Sequence, residues 1–336
     1  MKTLNNFDGV RLVAALAVFV SHQFWMAGAP EPRTFGPMTL GSLAVLVFFA
    51  ISGHLVASSW VADPVLWRFA ARRFLRIWPA YFVAVVGAAL WIGYTDPRPL
   101  AVTGAWMFVF KHLQFLPFEW DFFDKLHDPR LNPPLWTIPF EAACYVAFAI
   151  VATVARKWWA IALATVGGVA FAAWGVGMRS FDPSEASKFT DCVLFGALFA
   201  FGAVLYGLPQ LRKPKASAAL LLGGAVAFLA GSQVIGLALL VPTVAILVGG
   251  SSWPVLRQAA RFGDLSYGIY LWGWPVQQVV VTQMGVGAGF WRLLSVSLPL
   301  VVMLALVSWH VVEKRALSAK PAKSTAWPLW AKLKLR

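Results

Sequence analysis

Charged residues are scarce in this chain of 336 residues. Only 12% of the residues are Asp, Glu, Lys or Arg, whereas 60% are hydrophobic and the mean hydropathy is +0.70. An ordinary soluble domain is about 45 to 50% apolar and about 25% charged. The shortage of charge therefore excludes a water-soluble globular protein and predicts an integral membrane bundle.

Acidic residues and cysteines are scarcer still. Fourteen Asp and Glu stand against 28 Lys and Arg, which gives a net charge of +14. In a soluble protein this excess of positive charge would suggest binding to nucleic acid. Here the basic residues lie in short clusters between apolar stretches, as the positive-inside rule of membrane proteins requires. We therefore expect no nucleic-acid partner. Two cysteines, Cys144 and Cys192, cannot form a disulfide framework or a four-ligand zinc site, and we expect no metal.

Ten stretches are long and apolar enough to span a bilayer as helices, which need about 20 residues each. They are 10–28, 38–60, 77–94, 136–155, 158–178, 190–207, 216–232, 234–250, 265–284 and 291–312. The stretch 101–117 is more polar, and whether it spans is left open. With the N-terminus inside, most Lys and Arg fall on the cytoplasmic side. The sequence thus predicts an all-α, polytopic membrane bundle of about ten transmembrane helices with both termini in the cytoplasm.

Two segments are expected to lie outside this bundle. The tail 316–336 carries Lys, Arg and two tryptophans, which is typical of a segment lying on anionic lipid. The stretch 117–134 contains polar and aromatic residues in alternation. This pattern predicts a loop that covers the mouth of a cavity. We accordingly divide the chain into a transmembrane domain, 1–315, and a basic cytoplasmic tail, 316–336.

Ionisable residues inside a span are functional candidates, because inserting one costs at least about 2.5 kcal/mol. Arg11 and His22 are eleven positions apart in the first stretch, which places them about 20° apart around a helix and about 16 Å apart along it. Asp8 lies near enough in sequence to pair with Arg11. His22 is suited to proton transfer near neutral pH, but a hydrogen bond between helices is an equally good interpretation.

Further polar residues fall within or beside the apolar stretches. Glu141 needs a partner such as an arginine, while Tyr267 and Tyr270 are typical of aromatic residues at a membrane interface. His310 and Glu313 share one helical face near a helix end, where charge is ordinary.

Four arginines, Arg68, Arg72, Arg73 and Arg76, form a cluster in the short segment before the third span. Such clusters commonly set topology. Arginine at all four positions also favours bidentate recognition of phosphate. The cluster could therefore hold the phosphates of a nucleotide-bearing cofactor.

Six motifs together resemble the membrane acyltransferase 3 family, bacterial proteins that O-acylate extracytoplasmic sugars. In chain order they are FDGVRLVAALAVFVSH, FFAISGHLV, RRFLRIWPAY, NPPLWTIPFEAACY, SYGIYLWGWP and WHVVEKRAL, between residues 7 and 317. The resemblance implies transfer of an acyl group, most often acetyl, from cytoplasmic acyl-CoA to a carbohydrate or glycolipid hydroxyl. It also implies a multi-pass protein of the bacterial inner membrane.

The resemblance further implies roles for individual residues. Arg11 and His22 become the essential pair, with His22 as general base and Arg11 orienting the donor or pairing with Asp8 or Glu141. The remaining expectations are listed by role: Glu141 as catalytic, Arg72, Arg73 and Arg76 for acyl-CoA, and Ser52, Trp136, Tyr267 and Tyr270 for substrate.

Two other functions remain open at this stage. A transporter could relay protons through His22, Glu141 and Glu313, because such residues also mark transport pathways. A nonenzymatic scaffold could use the arginines to hold anionic lipid. Association of the chain with copies of itself, as a homo-oligomer, is left open.

Overall fold

The computed structural model describes residues 5–35, 38–116, 125–177 and 186–322. The first part of the loop expected at 117–134, and most of the tail with Trp327 and Trp330, lie outside the described residues. In the described part the α-helices are α1 Phe7–Met26, α2 Leu40–Ala62, α3 Leu66–Thr95, α4 Pro99–Leu113, α5 Thr137–Ala155, α6 Trp159–Gly177, α7 Ala186–Gly207, α8 Pro214–Leu229, α9 Gln233–Gly250, α10 Pro254–Gln258, α11 Ser266–Met284, α12 Phe290–Ser308 and α13 Lys314–Ser318.

Short pieces complete the fold. Strands β1 (Arg33–Phe35) and β2 (Met38–Thr39) form a small antiparallel pair between α1 and α2. Short 3₁₀ turns include Pro133–Trp136, which leads into α5, and Ala259–Phe262, which precedes α11. The all-α prediction is therefore right for the bundle, with this small hairpin as an addition.

Each predicted apolar stretch overlaps a helix, and 101–117 contains the shorter helix α4. In the described part, six helical segments are long and apolar enough to cross a bilayer: Phe7–Met26, Leu40–Ala62, Leu66–Thr95, Pro133–Val169, Gln233–Gly250 and Phe290–Ser318. Large apolar side chains point outward from them, such as Val154 and Trp291, each 78% exposed. Such a surface fits lipid as the surrounding solvent. The structure thus supports a helical membrane bundle, while ten crossings and cytoplasmic termini stay predictions.

Helix α2 lies at the centre of the bundle, packed against α1, α7 and α9. Its closest neighbour is α7, and glycines make that approach possible. A Cβ at Gly53 would strike the carbonyl of Phe199, and one at Gly202 would strike the carbonyl of Ala50. Small residues let transmembrane helices approach closely where apolar burial gives little driving force. This packing fixes α2 beside α1 and places Ser52 at the centre of the bundle.

Helix α3 differs from the sequence prediction. It begins at Leu66, eleven residues before the predicted start of the span, and runs for 30 residues. The arginine cluster, predicted to lie in a short segment before the third span, therefore lies on the first part of the same helix, and adjacent members of the cluster point in different directions around its axis. Arg72 and Arg73 therefore contact different parts of the bundle, as described below.

A π-helical turn, Trp309–Glu313, follows α12. His310 is exposed on this turn, whereas Glu313 is only 2% exposed. The expectation that these two residues share a face is wrong, because the three-residue spacing rule holds for an α-helix and the wider turn changes the angle between them. Glu313 is thereby directed into the bundle.

Candidate active site

Asp264 joins two arginines at the end of the bundle where α1 begins. Its Oδ2 accepts hydrogen bonds from Arg11 Nη1 and Arg76 Nη2, each at 2.5 Å, and its Oδ1 accepts one from Ser266 Oγ. Burial alone would raise the pKa of Asp264, but Arg11 and Arg76 hold it well below its usual value. The carboxylate is therefore charged and links α1, α3 and the start of α11.

Gly263 makes the turn that presents Asp264. Its φ is +106°, a conformation that favours glycine, and the indole of Trp309 occupies the place of a Cβ. Any other residue would both strain the backbone and displace Trp309. The sequence Gly263-Asp264 is thus the local reason that a carboxylate reaches the two arginines.

A cavity of about 80 Å³ opens beside this ion pair. We call it the arginine cavity. The polar residues and tyrosines of its lining are Arg11, Ser52, Arg73, Arg76, Thr137, Glu141, Tyr145, Tyr267 and Tyr270. The cavity therefore collects residues from α1, α2, α3, α5 and α11, and it contains most of the candidates that the sequence singles out.

Arg73 and Arg72 have opposite environments. Arg73 lines the arginine cavity, and within the described residues no carboxylate lies within ion-pair distance of it. Its guanidinium lies over the ring of Tyr145, 5.8 Å from the centroid, and Nη2 donates to Ser59 Oγ at 3.4 Å. Arg72 instead donates to Asp63, at 2.6 Å to Oδ2 and 3.0 Å to the carbonyl oxygen.

Asp63 explains why Arg72 does not face the cavity. It also accepts two hydrogen bonds from Arg68, each at 2.9 Å. Burial would raise the pKa of Asp63, but hydrogen bonds from Arg68 and Arg72 keep it below its ordinary value. The expectation that Arg72 joins Arg73 and Arg76 in one site needs correction, because Asp63 occupies Arg72 and ties the α2–α3 turn together.

Glu141 is held by two hydroxyl groups rather than by an arginine. Its Oε1 accepts from Ser52 Oγ at 2.6 Å and from Tyr145 OH at 2.5 Å. Arg73 is close enough to interact with the carboxylate electrostatically. Hydrogen bonds from hydroxyl groups offset the cost of placing a carboxylate inside the bundle.

Lys320 adds a further cation near the arginine cavity. It follows α13, which packs against α3. The pKa of Lys320 is lowered to about 8, mainly by partial burial and to a smaller extent by repulsion from Arg73, Arg76 and Arg72. Like charges held this close favour binding of an anion.

A second cavity, of about 150 Å³, lies toward the other end of α1 and contains His22. We call it the histidine cavity. Its lining includes Glu31, Thr39, Ser42, Trp136, Thr137 and Tyr270. His22 packs edge to face on Trp274, with ring centroids 5.1 Å apart. Within the described residues, neither ring nitrogen of His22 has a hydrogen-bond partner, so the imidazole can accept a proton from a molecule in the cavity.

The two cavities meet at a shared wall. Val45, Thr137 and Tyr270 line both of them. The hydroxyl of Tyr270 donates to the carbonyl oxygen of Pro134 at 2.8 Å and lies 2.5 Å from Thr137 Oγ1. Since Arg11 and His22 are about 16 Å apart along α1, the cavities and this narrow polar wall follow much of that helix.

The other candidates fall into two groups. Trp136 lines the histidine cavity, while Tyr267 donates to the carbonyl oxygen of Ile77 at 2.9 Å and lies against Arg76. His54 is buried between the rings of Phe7 and Tyr206, outside both cavities. His54 therefore has a packing role.

Sequence reasoning did not single out Asp264 or Glu31. The sequence suggests Asp8 or Glu141 as a partner of Arg11, whereas the structure pairs Arg11 with Asp264. The available signal was an acid next to glycine at the start of the SYGIYLWGWP motif. Glu31 lies between proline residues in a polar segment after α1, and its position next to His22 depends on the fold.

Comparison with known proteins finds acyltransferases that are similar to nearly the whole chain. A family model described as an acyltransferase domain matches residues 4–312. The chain is 29% identical to an O-acetyl transferase of Shigella phage Sf6, over 96% of this chain and 99% of the relative. It is 27% identical to nodulation protein 10 of Rhizobium leguminosarum bv. viciae, over 94% of each chain.

A third similarity involves a longer relative. The chain is 24% identical to the peptidoglycan O-acetyltransferase OatA of Listeria monocytogenes, over 82% of this chain and 49% of the relative. No solved structure matches the chain.

Proposed function

This chain belongs to the acyltransferase family whose model covers residues 4–312, and from that premise we propose that it is a multi-pass O-acyltransferase of the bacterial inner membrane. It moves an acyl group, acetyl in the first instance, from cytoplasmic acyl-CoA to a hydroxyl of an extracytoplasmic or lipid-linked carbohydrate. The observation that carries the proposal is the pair of cavities that share a wall, one containing arginines and the other His22.

The donor binds at the arginine cavity. Arg73 supplies the charge for a phosphate, because no carboxylate of the described residues pairs with it, and Lys320 adds positive charge nearby. Arg76 and Arg11 each form an ion pair with Asp264, and they orient the donor from one side of the cavity. Arg72 positions the α2–α3 turn through Asp63. Guanidinium groups suit phosphate oxygens because their donors form a planar fork.

The acceptor enters the histidine cavity. His22 takes the proton of the acceptor hydroxyl as its oxygen attacks the thioester carbonyl carbon. The carbon–sulfur bond then breaks, the thiolate leaves, and the proton on His22 passes to the thiolate, giving the ester and free CoA thiol. A positioned general base contributes about 10² to 10⁴ in rate.

The two binding sites lie at different depths. The thioester must reach from the arginine cavity to His22, which lies about 16 Å from Arg11 along α1. The wall at Thr137 and Tyr270 lies on this path, and Ser52, Glu141 and Trp136 line the cavities at its two ends. This arrangement supports donor and acceptor sites on opposite sides of a bilayer. The proposal includes about ten spans and both termini in the cytoplasm.

The relatives support the class of acceptor. One is named as an O-acetyl transferase and another as a peptidoglycan O-acetyltransferase, so a carbohydrate hydroxyl is the acceptor we infer for this chain. Transfer of an acyl group is an enzymatic activity, which distinguishes the chain from the transporter and the lipid scaffold considered above. In this scheme residues 1–315 form the catalytic domain and 316–336 a basic cytoplasmic tail.

The test is acyl transfer by the purified protein in nanodiscs, followed as release of CoA thiol from acetyl-CoA in the presence of a carbohydrate acceptor. His22→Ala should lower the rate by about 10² to 10⁴ while acetyl-CoA binding and membrane abundance stay unchanged. His54→Ala, a histidine outside both cavities, is the matched control for loss of an imidazole. Activity retained in His22→Ala would exclude His22 as the base, and absence of thiol release from the wild type would exclude acyl-CoA as the donor.

A further inference from the structure

Glu31 is the acidic residue of the histidine cavity, and its carboxylate is held in place by the residue next to His22. Ser21 is fully buried, and its Oγ donates to Glu31 Oε2 at 2.5 Å. The same Oγ accepts from the backbone N–H of Gly41 at 2.9 Å. The serine hydroxyl therefore fixes one carboxylate oxygen, through contacts with both α1 and α2, and leaves the other available to the cavity.

Among the described residues, two charged side chains act on His22. Glu31 attracts the protonated imidazole, and Arg130 repels it. Arg130 is bound to Asp128 at 2.6 Å and lies over the ring of Trp274, on which His22 packs. Tyr270 is the remaining titratable group among the described residues that line the cavity. Of these groups, Glu31 is the one that lines the cavity with His22 and favours a positive charge on it.

We propose that Glu31 is a positioning residue for His22: its carboxylate, held in the same cavity by Ser21, stabilises the imidazolium formed when His22 takes the proton of the acceptor hydroxyl. This inference rests on the proposed function of His22. Glu31 itself gains no proton and forms no bond to the acyl group. A carboxylate near an imidazole base stabilises the positive charge that develops on the ring during reaction.

A purely structural role for Glu31 makes a different prediction. If its only task were to tie the segment after α1 to Ser21, glutamine would serve, because the Gln carbonyl oxygen also accepts a hydrogen bond from a serine hydroxyl. Loss of the negative charge separates the two roles, since the hydrogen bond survives and the interaction with the imidazolium does not.

The experiment measures kcat, KM for acetyl-CoA and the pH profile of kcat/KM for Glu31→Gln and Glu31→Asp. We expect Glu31→Gln to lower kcat by about 10- to 100-fold, below the roughly 10⁴-fold seen when a fully buried triad carboxylate is made neutral. KM for acetyl-CoA should not change. The acid limb of the profile should move to lower pH, because an imidazole without a neighbouring carboxylate stays neutral to lower pH.

Asp96→Asn is the matched control. Asp96 follows α3 at the same end of the bundle and binds Arg98 and Lys125, and it lines neither cavity. This variant loses the same charge and should keep both the wild-type kcat and the acid limb.

The outcomes separate this inference from the proposed function. If Glu31→Gln keeps kcat within about twofold of wild type or leaves the acid limb in place while His22→Ala is inactive, the inference about Glu31 is overturned and His22 stands as the base. If His22→Ala is active, the proposed function itself fails. Should Glu31→Gln not accumulate, Glu31→Asp carries the test. It keeps the charge but withdraws it by one methylene, so kcat should fall and the acid limb should move to lower pH, both by less than complete loss of the charge would cause. Wild-type kcat would refute the inference.

Discussion

Replacement of Arg73 by glutamine tests which arginine binds the donor. The guanidinium lines the arginine cavity and has no carboxylate within ion-pair distance in the described part of the chain. A hydrogen bond to a charged group contributes about 1.5 to 3 kcal/mol. Loss of such a bond to a phosphate should therefore raise the Kd for acetyl-CoA by about 10- to 150-fold.

Arg72→Gln is the matched comparison, because it removes the same charge from the adjacent position of α3. Arg72 is 7% exposed and donates to Asp63 instead of lining the cavity. We expect its loss to leave the Kd nearly unchanged and to lower the Tm, since breaking a buried ion pair leaves the partner charge uncompensated.

The assay is equilibrium binding of acetyl-CoA to protein in nanodiscs, at salt concentrations of about 0.05 and 0.5 M. Wild type should lose affinity as salt rises, and Arg73→Gln should lose less, because one charged contact is already absent. Equal Kd values for Arg73→Gln and wild type would refute the assignment, and so would equal weakening by Arg72→Gln and Arg73→Gln.

Two other predictions concern residues at the same end of the bundle. Asp264→Asn leaves Arg11 and Arg76 facing each other without a carboxylate between them, so the Tm should fall, and adding Arg11→Gln should recover part of the loss; a Tm equal to wild type would contradict this. Lys320 has its pKa lowered from 10.5 to about 8, and a bound phosphate should raise it again. Lys320 is already protonated below pH 8, so calorimetry in buffers of different ionisation enthalpy should show proton uptake on acetyl-CoA binding near pH 9 but not near pH 7, and Lys320→Met should abolish the uptake.

The site shows how far sequence reasoning reaches. Arg11 and His22 were singled out because a charge inside an apolar helix is costly, and the structure places each of them in one of two cavities that share a wall. The arginine cluster was also found, but its members could not be told apart. The cluster lies on the first part of α3, where adjacent residues point about 100° apart around the helix axis.

The sequence by itself determined the solvent and the family. Composition decides that the chain lies in lipid, because charge is too costly to bury and too scarce here to cover a soluble surface, and helix periodicity relates Arg11 to His22 within one segment. Only the tertiary structure decided which charges are paired. Asp264 meets Arg11 across 253 positions of the chain and leaves Arg73 without such a partner in the described residues, while Ser21 brings Glu31 to His22. Those contacts depend on how helices pack against one another, and no local pattern of residues determines which side chains meet when they are far apart in the sequence.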